Sequence, residues 1–238
     1  MTSSAALPLP RDDAPLSRFA ILLMAVACGT MVANLYYAQT LIDVIGPEIG
    51  MSAGVAGLIT TLTQLGYGLG IILVVPLADL FENRRIVLIS AVATVLGCIA
   101  IALSNGPATF LIASVMTGVG ATGVQVLIPL ASHLAPPERQ GRVVGTVMSG
   151  LLFGIMLSRP IASFLAGSMG WRATFLLSAG VIALVAIALL IACPQRRPKG
   201  GMHYGEVLAS TFSQLGKYRV VRMRAFYQAS MFAAFNLF

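Results

Sequence analysis

Residues 173–192 read ATFLLSAGVIALVAIALLIA, an unbroken apolar run without a charged side chain. A bilayer's hydrocarbon core is crossed by about 20 mostly apolar residues in an α-helix, and this run has that length. Five more long, mostly apolar stretches precede it, at 19–45, 53–78, 86–103, 109–134 and 143–166. The whole chain has 238 residues, 58% hydrophobic and only 10% charged. An average soluble domain carries about 25% charged residues, so this chain has too few to wet a globular surface. The reading is an all-α membrane protein with six transmembrane helices.

The net charge of +7 does not point to nucleic acid. Lys and Arg fall in the short breaks between apolar runs and form no stripe with interleaved aromatics. Arg11 and Arg18 precede the first run, Arg84 and Arg85 follow the second, and Arg139 and Arg142 follow the fourth. Arg196, Arg197 and Lys199 follow the sixth, with Lys217, Arg219, Arg222 and Arg224 beyond. The alternate breaks hold Asp43 and Glu48, then Ser104 to Pro107, then Gly170 to Arg172, and Arg172 alone departs from the pattern. Basic loops stay on the inner side, which puts both ends of the six-helix block in the cytoplasm; a bacterial inner membrane is the expected location.

The chain therefore divides into a cytoplasmic tail at 1–17, a six-helix bundle at 18–193, a cytoplasmic linker at 194–224 and a further apolar segment at 225–238. Leu208, Phe212 and Leu215 recur at helical spacing in the linker and suggest an amphipathic helix on the membrane surface or an ordinary connecting helix. The last segment is too short to span and reads as the start of a truncated seventh helix. Cys28, Cys98 and Cys193 lie in or beside apolar runs without metal-type spacing, so neither a metal, a cofactor nor a disulfide is expected.

Several local patterns resemble one family. The break after the second run, Pro76-Leu77-Ala78-Asp79-Leu80-Phe81-Glu82-Asn83-Arg84-Arg85, is similar to the cytoplasmic signature Gly-x-x-x-Asp-Arg-x-Gly-Arg-Arg of the major facilitator superfamily. Asp79 and Arg84 match, Arg85 adds charge, and Val75, Leu80, Glu82 and Asn83 stand in for Gly, Arg, Gly and Arg. Asn34-Leu35-Tyr36-Tyr37-Ala38-Gln39, Pro136 to Arg142, and Gly170-Trp171-Arg172 with Phe175 look like segments of its drug and sugar efflux branch. Gly145, Gly150, Gly154, Ser158, Arg159 and Pro160 resemble the antiporter motif of the fifth helix, while Ser114 stands near the place of that branch's fourth-helix arginine. The resemblance covers residues 18–238. It implies one half-bundle of a fold that pairs two six-helix halves, completed by a second half or a homodimer, and proton-coupled efflux of a small organic molecule by alternating access. The competing reading is a truncated, non-transporting membrane protein serving as scaffold or regulatory subunit. A channel is disfavoured, since rings of acidic residues and a carbonyl filter are missing.

Four residues are candidates for the substrate site. Arg159 lies about two-thirds through its span, where a charge costs roughly 2.5–3.5 kcal/mol to insert. It is either an anchor for an anionic or carbonyl-bearing substrate, a counter-ion, or an arginine snorkelling to the outer interface. Asn34 and Tyr37 share a helix face by their spacing. With Gln125 they either line a central cavity or make interhelical hydrogen bonds; Tyr36 points elsewhere. Asp79, Arg84 and Arg85 are the gating candidates, or a charged loop obeying the orientation rule. Arginine does not deprotonate, so a proton carrier is either Asp43 or outside the chain. Gly66 and Gly70, and Gly150 and Gly154, are close-packing pairs. Trp171 is an interface anchor, and no nucleotide-binding or nucleophile constellation is present, so the chain is not read as an enzyme.

Overall fold

The computed structural model describes residues 17–196 and 203–237. The expected tail, apart from Ser17, lies outside the described residues. Eleven α-helices follow in order among them. They are α1 (Arg18–Thr40), α2 (Ile42–Glu48), α3 (Ala53–Ala56), α4 (Leu58–Leu73), α5 (Asn83–Ala102) and α6 (Pro107–Ala121). Then come α7 (Gly123–Leu134), α8 (Gln140–Met169), α9 (Trp171–Ala192), α10 (Tyr204–Lys217) and α11 (Arg219–Leu237). Six segments are long and apolar enough to cross a membrane, at Arg18–Thr40, Gly54–Asp79, Asn83–Ala102, Pro107–Leu134, Pro137–Met169 and Trp171–Ala192. The six apolar runs are six spans.

Local chemistry sets the ends. Ser17 caps α1, its hydroxyl accepting from the Ala20 N–H at 3.0 Å and satisfying one of the unpaired donors of the first turn. The second span tightens from α4 into a 3₁₀ turn at Val75–Asp79, where Pro76 sits in the first turn and lacks an N–H. The fourth span breaks between α6 and α7 at Thr122, whose hydroxyl donates to the Val119 carbonyl at 2.6 Å. The ninth helix starts after Gly170, whose φ of 82° suits glycine.

The first span is the hub. Of its spanning window 67% is buried, against 17% for the fifth and 22% for the sixth, so α1 is surrounded while α8 and α9 present open faces. Lipid offers no hydrophobic drive for helix association, and close van der Waals packing takes over. Gly29, Gly150 and Gly154 let α1 and α8 touch backbone to backbone: a Cβ at Gly150 would lie 2.3 Å from the Ala25 carbonyl oxygen. Gly66 and Gly118 do the same for α4 and α6, the latter placing a Cβ 2.1 Å from the Thr63 carbonyl. Outward side chains such as Phe164 and Ile191, 75% and 80% exposed, form a lipid-facing surface.

The two ends of the bundle are stapled differently. At the non-basic end, Glu48 pairs with Arg172, Arg172 stacks 4.2 Å above the Trp171 ring, and the Trp171 indole N–H donates to Glu48. Arg172 also donates to the Ser104 carbonyl at 3.3 Å. The arginine that breaks the charge pattern is thus neutralised locally. Trp171 is not an interface anchor: it is 2% exposed, packed edge-on against Phe110 and Phe175. Its N–H has a carboxylate partner, so the ring does not need the headgroup region.

Beyond the spans, α10 occupies the linker. The Tyr204 hydroxyl donates to the Leu73 carbonyl at 2.7 Å, tying α10 to the basic end of α4. The last helix starts at Arg219, so Arg219, Arg222 and Arg224 belong to it and not to a preceding loop. Arg222 donates to the Gly216 carbonyl at 2.7 Å, satisfying a free acceptor at the end of α10.

Candidate functional site

Polar side chains from four different spans lie within hydrogen-bonding or electrostatic reach of one another around Tyr36 and Tyr67. Gln125 of α7 donates from Nε2 to the Tyr67 hydroxyl of α4 at 2.7 Å. Tyr36 of α1 lies within electrostatic reach of both Tyr67 and the Arg159 guanidinium of α8. Tyr36 and Tyr67 are buried, Gln125 is half-buried and Arg159 is exposed on the open face of α8. The cluster combines a fixed positive charge with hydroxyl and amide groups that both donate and accept. An anionic or carbonyl-bearing molecule meets that chemistry.

Of the expected four, Gln125 and Arg159 are in this cluster and Asn34 and Tyr37 are not. The Asn34 amide oxygen accepts from the Cys98 thiol at 3.2 Å and the Ser178 hydroxyl at 2.8 Å. Its Nδ2 donates to the Thr30 carbonyl at 2.8 Å, and the residue is 1% exposed. Asn34 is a knot joining α1, α5 and α9, with its acceptor capacity used. Tyr37 packs edge-on against Phe175 of α9, ring centroids 6.4 Å apart. The two do share a face, as their spacing requires, but that face is turned to α9. Tyr36, about 100° further round the helix, lies within electrostatic reach of the Tyr67 and Arg159 side chains instead. The sequence signal for Tyr67 is a phenol flanked by Gly66 and Gly68 in mid-span, where a hydroxyl needs a partner.

The gating candidates are also rearranged. Glu82, not Asp79, is the acid that holds the arginines: its carboxylate lies 3.4 Å from Arg84 Nε and 2.9 Å from Arg85 Nε, and the residue is 5% exposed. Arg84 donates from Nη1 to the carbonyls of Leu190 and Cys193 at 3.0 and 3.2 Å. Those carbonyls are the unpaired acceptors at the negative end of α9. The Asn83 N–H adds a bond to the Arg196 carbonyl at 3.1 Å. The loop therefore clamps the third span to the sixth. Asp79 is exposed at the end of its 3₁₀ turn. Burial pushes the Cys193 thiol up to about 11 against the opposing pull of Arg84, which keeps it protonated and unreactive at neutral pH.

The chain matches the Major Facilitator Superfamily family model over residues 19–238. The chain belongs to the Major Facilitator Superfamily. It is 40% identical over 229 residues to the uncharacterized transporter YgaY of Escherichia coli O157:H7, covering 96% of this chain and 58% of that one. It is 24% identical over 151 residues to the purine ribonucleoside efflux pump NepI of Escherichia coli O6:K15:H31, covering 63% of this chain and 38% of the pump. Among solved structures, the peptide transporter POT (E310Q mutant, in complex with alafosfalin) superposes with a TM-score of 0.64 at 18% identity, covering 86% of this chain and 46% of that one. That likeness concerns the fold. The chain thus spans a little over half the length of the relatives it matches at 40% identity. It is a multi-pass membrane protein carrying one six-helix half of this transporter fold.

Proposed function

We propose that the chain is the N-terminal half of a secondary transporter that exports a small organic molecule in exchange for protons by alternating access. The observation that carries this reading is the Tyr36–Tyr67–Gln125–Arg159 cluster, drawn from four spans at membrane depth beside the open face of α8. A charge at that depth is costly and marks a substrate or ion pathway. The substrate binds at Arg159 and Gln125, with Tyr36 and Tyr67 in the roles first given to Asn34 and Tyr37. A second six-helix bundle, from the same or another chain, covers the open face and rocks against this one. The basic ends of the helices face the cytoplasm, in the inner membrane. There the Glu82–Arg84–Arg85 clamp, with Asp79 beside it, steadies the closed end. The mechanism uses neither covalent catalysis nor a cofactor. Among the described residues no carboxylate or histidine sits in mid-span, so the proton carrier is Asp43 in the first turn of α2, just beyond the outer end of the first span, or belongs to the second bundle.

The test is flux in vesicles. Replacing Arg159→Ala removes the one fixed charge of the cluster, a change worth about 2–5 kcal/mol where a charge contacts its ligand. Flux is expected to fall at least about 30-fold while membrane insertion and yield stay unchanged. Unchanged flux would return Arg159 to an arginine reaching for the interface.

A further inference from the structure

We infer that the basic end of the bundle carries a binding site for one anionic phospholipid, separate from the polar cluster. A cavity of about 460 Å³ opens there between the start of α1 and the loop leading into α8. Arg18, Arg139 and Arg142 line it, over a floor that includes Ile21, Leu22 and Val143. The two helices that border it both begin there, so their positive ends add to the three guanidinium charges, and α8 opens without a side-chain cap on its first N–H groups. Glu138 is the one acid on these elements among the described residues, and it is not part of the lining. The chemistry asks for a phosphate.

What makes the occupant a lipid rather than a free anion is the space that continues from this cavity. Leu22 and Thr146 also line a second, apolar groove of about 450 Å³ that runs up between α1 and α8. Its walls include Val26, Ala33, Phe153 and Leu157, and its floor is Gly29, Gly150 and Gly154, where the two backbones touch. A charged chamber at the interface opening into a greasy slot along the spans has the layout of a headgroup with one acyl chain. Anionic lipids concentrate in the cytoplasmic leaflet and attract basic residues at that depth. Phosphate-directed arginines there bind the headgroup by paired N–H donors. The lipid would fill the seam between the hub helix and its neighbour, on the Tyr37 side of α1.

The proposal depends on the orientation given under Proposed function but not on transport. The full chain in detergent is titrated with phosphatidylglycerol, phosphatidylcholine or inorganic phosphate, and bound species are counted by native mass spectrometry. One phosphatidylglycerol is expected to be retained in preference to phosphatidylcholine. At about fivefold per arginine, the doubly substituted Arg139→Ala, Arg142→Ala chain should hold it roughly 25-fold more weakly. Ser149→Trp, which fills the groove, should weaken long-chain phosphatidylglycerol and leave the six-carbon-chain form unaffected. Equal retention of the two lipids, or retention unchanged in the arginine variant, overturns the site. Displacement by millimolar phosphate, or no effect of Ser149→Trp, overturns the lipid and leaves a free-anion pocket. Size-exclusion profiles of each variant confirm folding. Orientation is checked separately by labelling Asn105→Cys in intact cells with an impermeant maleimide. Labelling from outside is expected, and labelling only from the cytoplasm would put the arginines against the wrong leaflet and remove the occupant.

Discussion

Tyr36 and Tyr37 are neighbours in the same helix with the same side chain, yet they serve opposite surroundings. Tyr37 lies with Asn34 on the face of α1 turned to α9, where Cys98, Ser178 and Phe175 occupy them. Tyr36 lies within electrostatic reach of Tyr67 and Arg159, and Gln125 is hydrogen-bonded to Tyr67. On the first face polar atoms close a helix junction; on the second they gather around a charge on an open helix. A polar residue at membrane depth is not by itself a ligand contact.

The seam between α1 and α8 is the place where a substitution has the largest expected effect. Gly150→Leu would drive a Cβ to 2.3 Å from the Ala25 carbonyl and force α1 and α8 apart. Overpacking of this kind costs about 1–3 kcal/mol or more, and here the obstacle is backbone, which cannot rotate away. Loss of monodisperse, folded protein in detergent is expected, measured by size exclusion and yield. If the protein stays folded with normal flux, the seam does not set the two faces.

A sharper contrast comes from removing one hydroxyl from each face. Tyr36→Phe should raise the KM for substrate about 3–10-fold, the equivalent of one hydrogen bond, with Tm little changed. Tyr37→Phe should leave KM unaltered, because its ring and not its hydroxyl packs on Phe175. Equal effects of the two in a vesicle flux assay would erase the distinction.

The smallest effect is expected at Asn34. Asn34→Ala strips the Cys98 thiol and Ser178 hydroxyl of their shared acceptor at a cost of about 1 kcal/mol, in line with interhelical hydrogen bonds in membranes. A Tm lowered by a few degrees with KM unchanged is expected from thermal unfolding and flux. A KM change without a Tm change would move Asn34 into the binding site.

The six spans, their order and the grouping of basic breaks were legible in the residues because bilayer crossing depends on length and apolarity, and both are properties of the sequence itself. Arg159 was legible for the same reason: a charge inside an apolar run stands out without any coordinates. The breaks inside the second and fourth spans at Val74 and Thr122 were not, since hydropathy does not change where the backbone changes its turn. Nor was the pairing of Glu82 with Arg84 and Arg85 visible, because it took the turn into α5 to fold that carboxylate back onto both arginines.

The residues by themselves fix a membrane-spanning half-bundle with an arginine at membrane depth and a charge sidedness that only Arg172 departs from. What only the tertiary structure decided is which polar groups meet. Spacing along α1 fixes that Asn34 and Tyr37 face one way and Tyr36 another, but the direction of each face is set by how closely Gly29, Gly150 and Gly154 allow α8 to approach. Rotation of a helix within a bundle is a property of contacts with its neighbours, and a single helix carries no record of it.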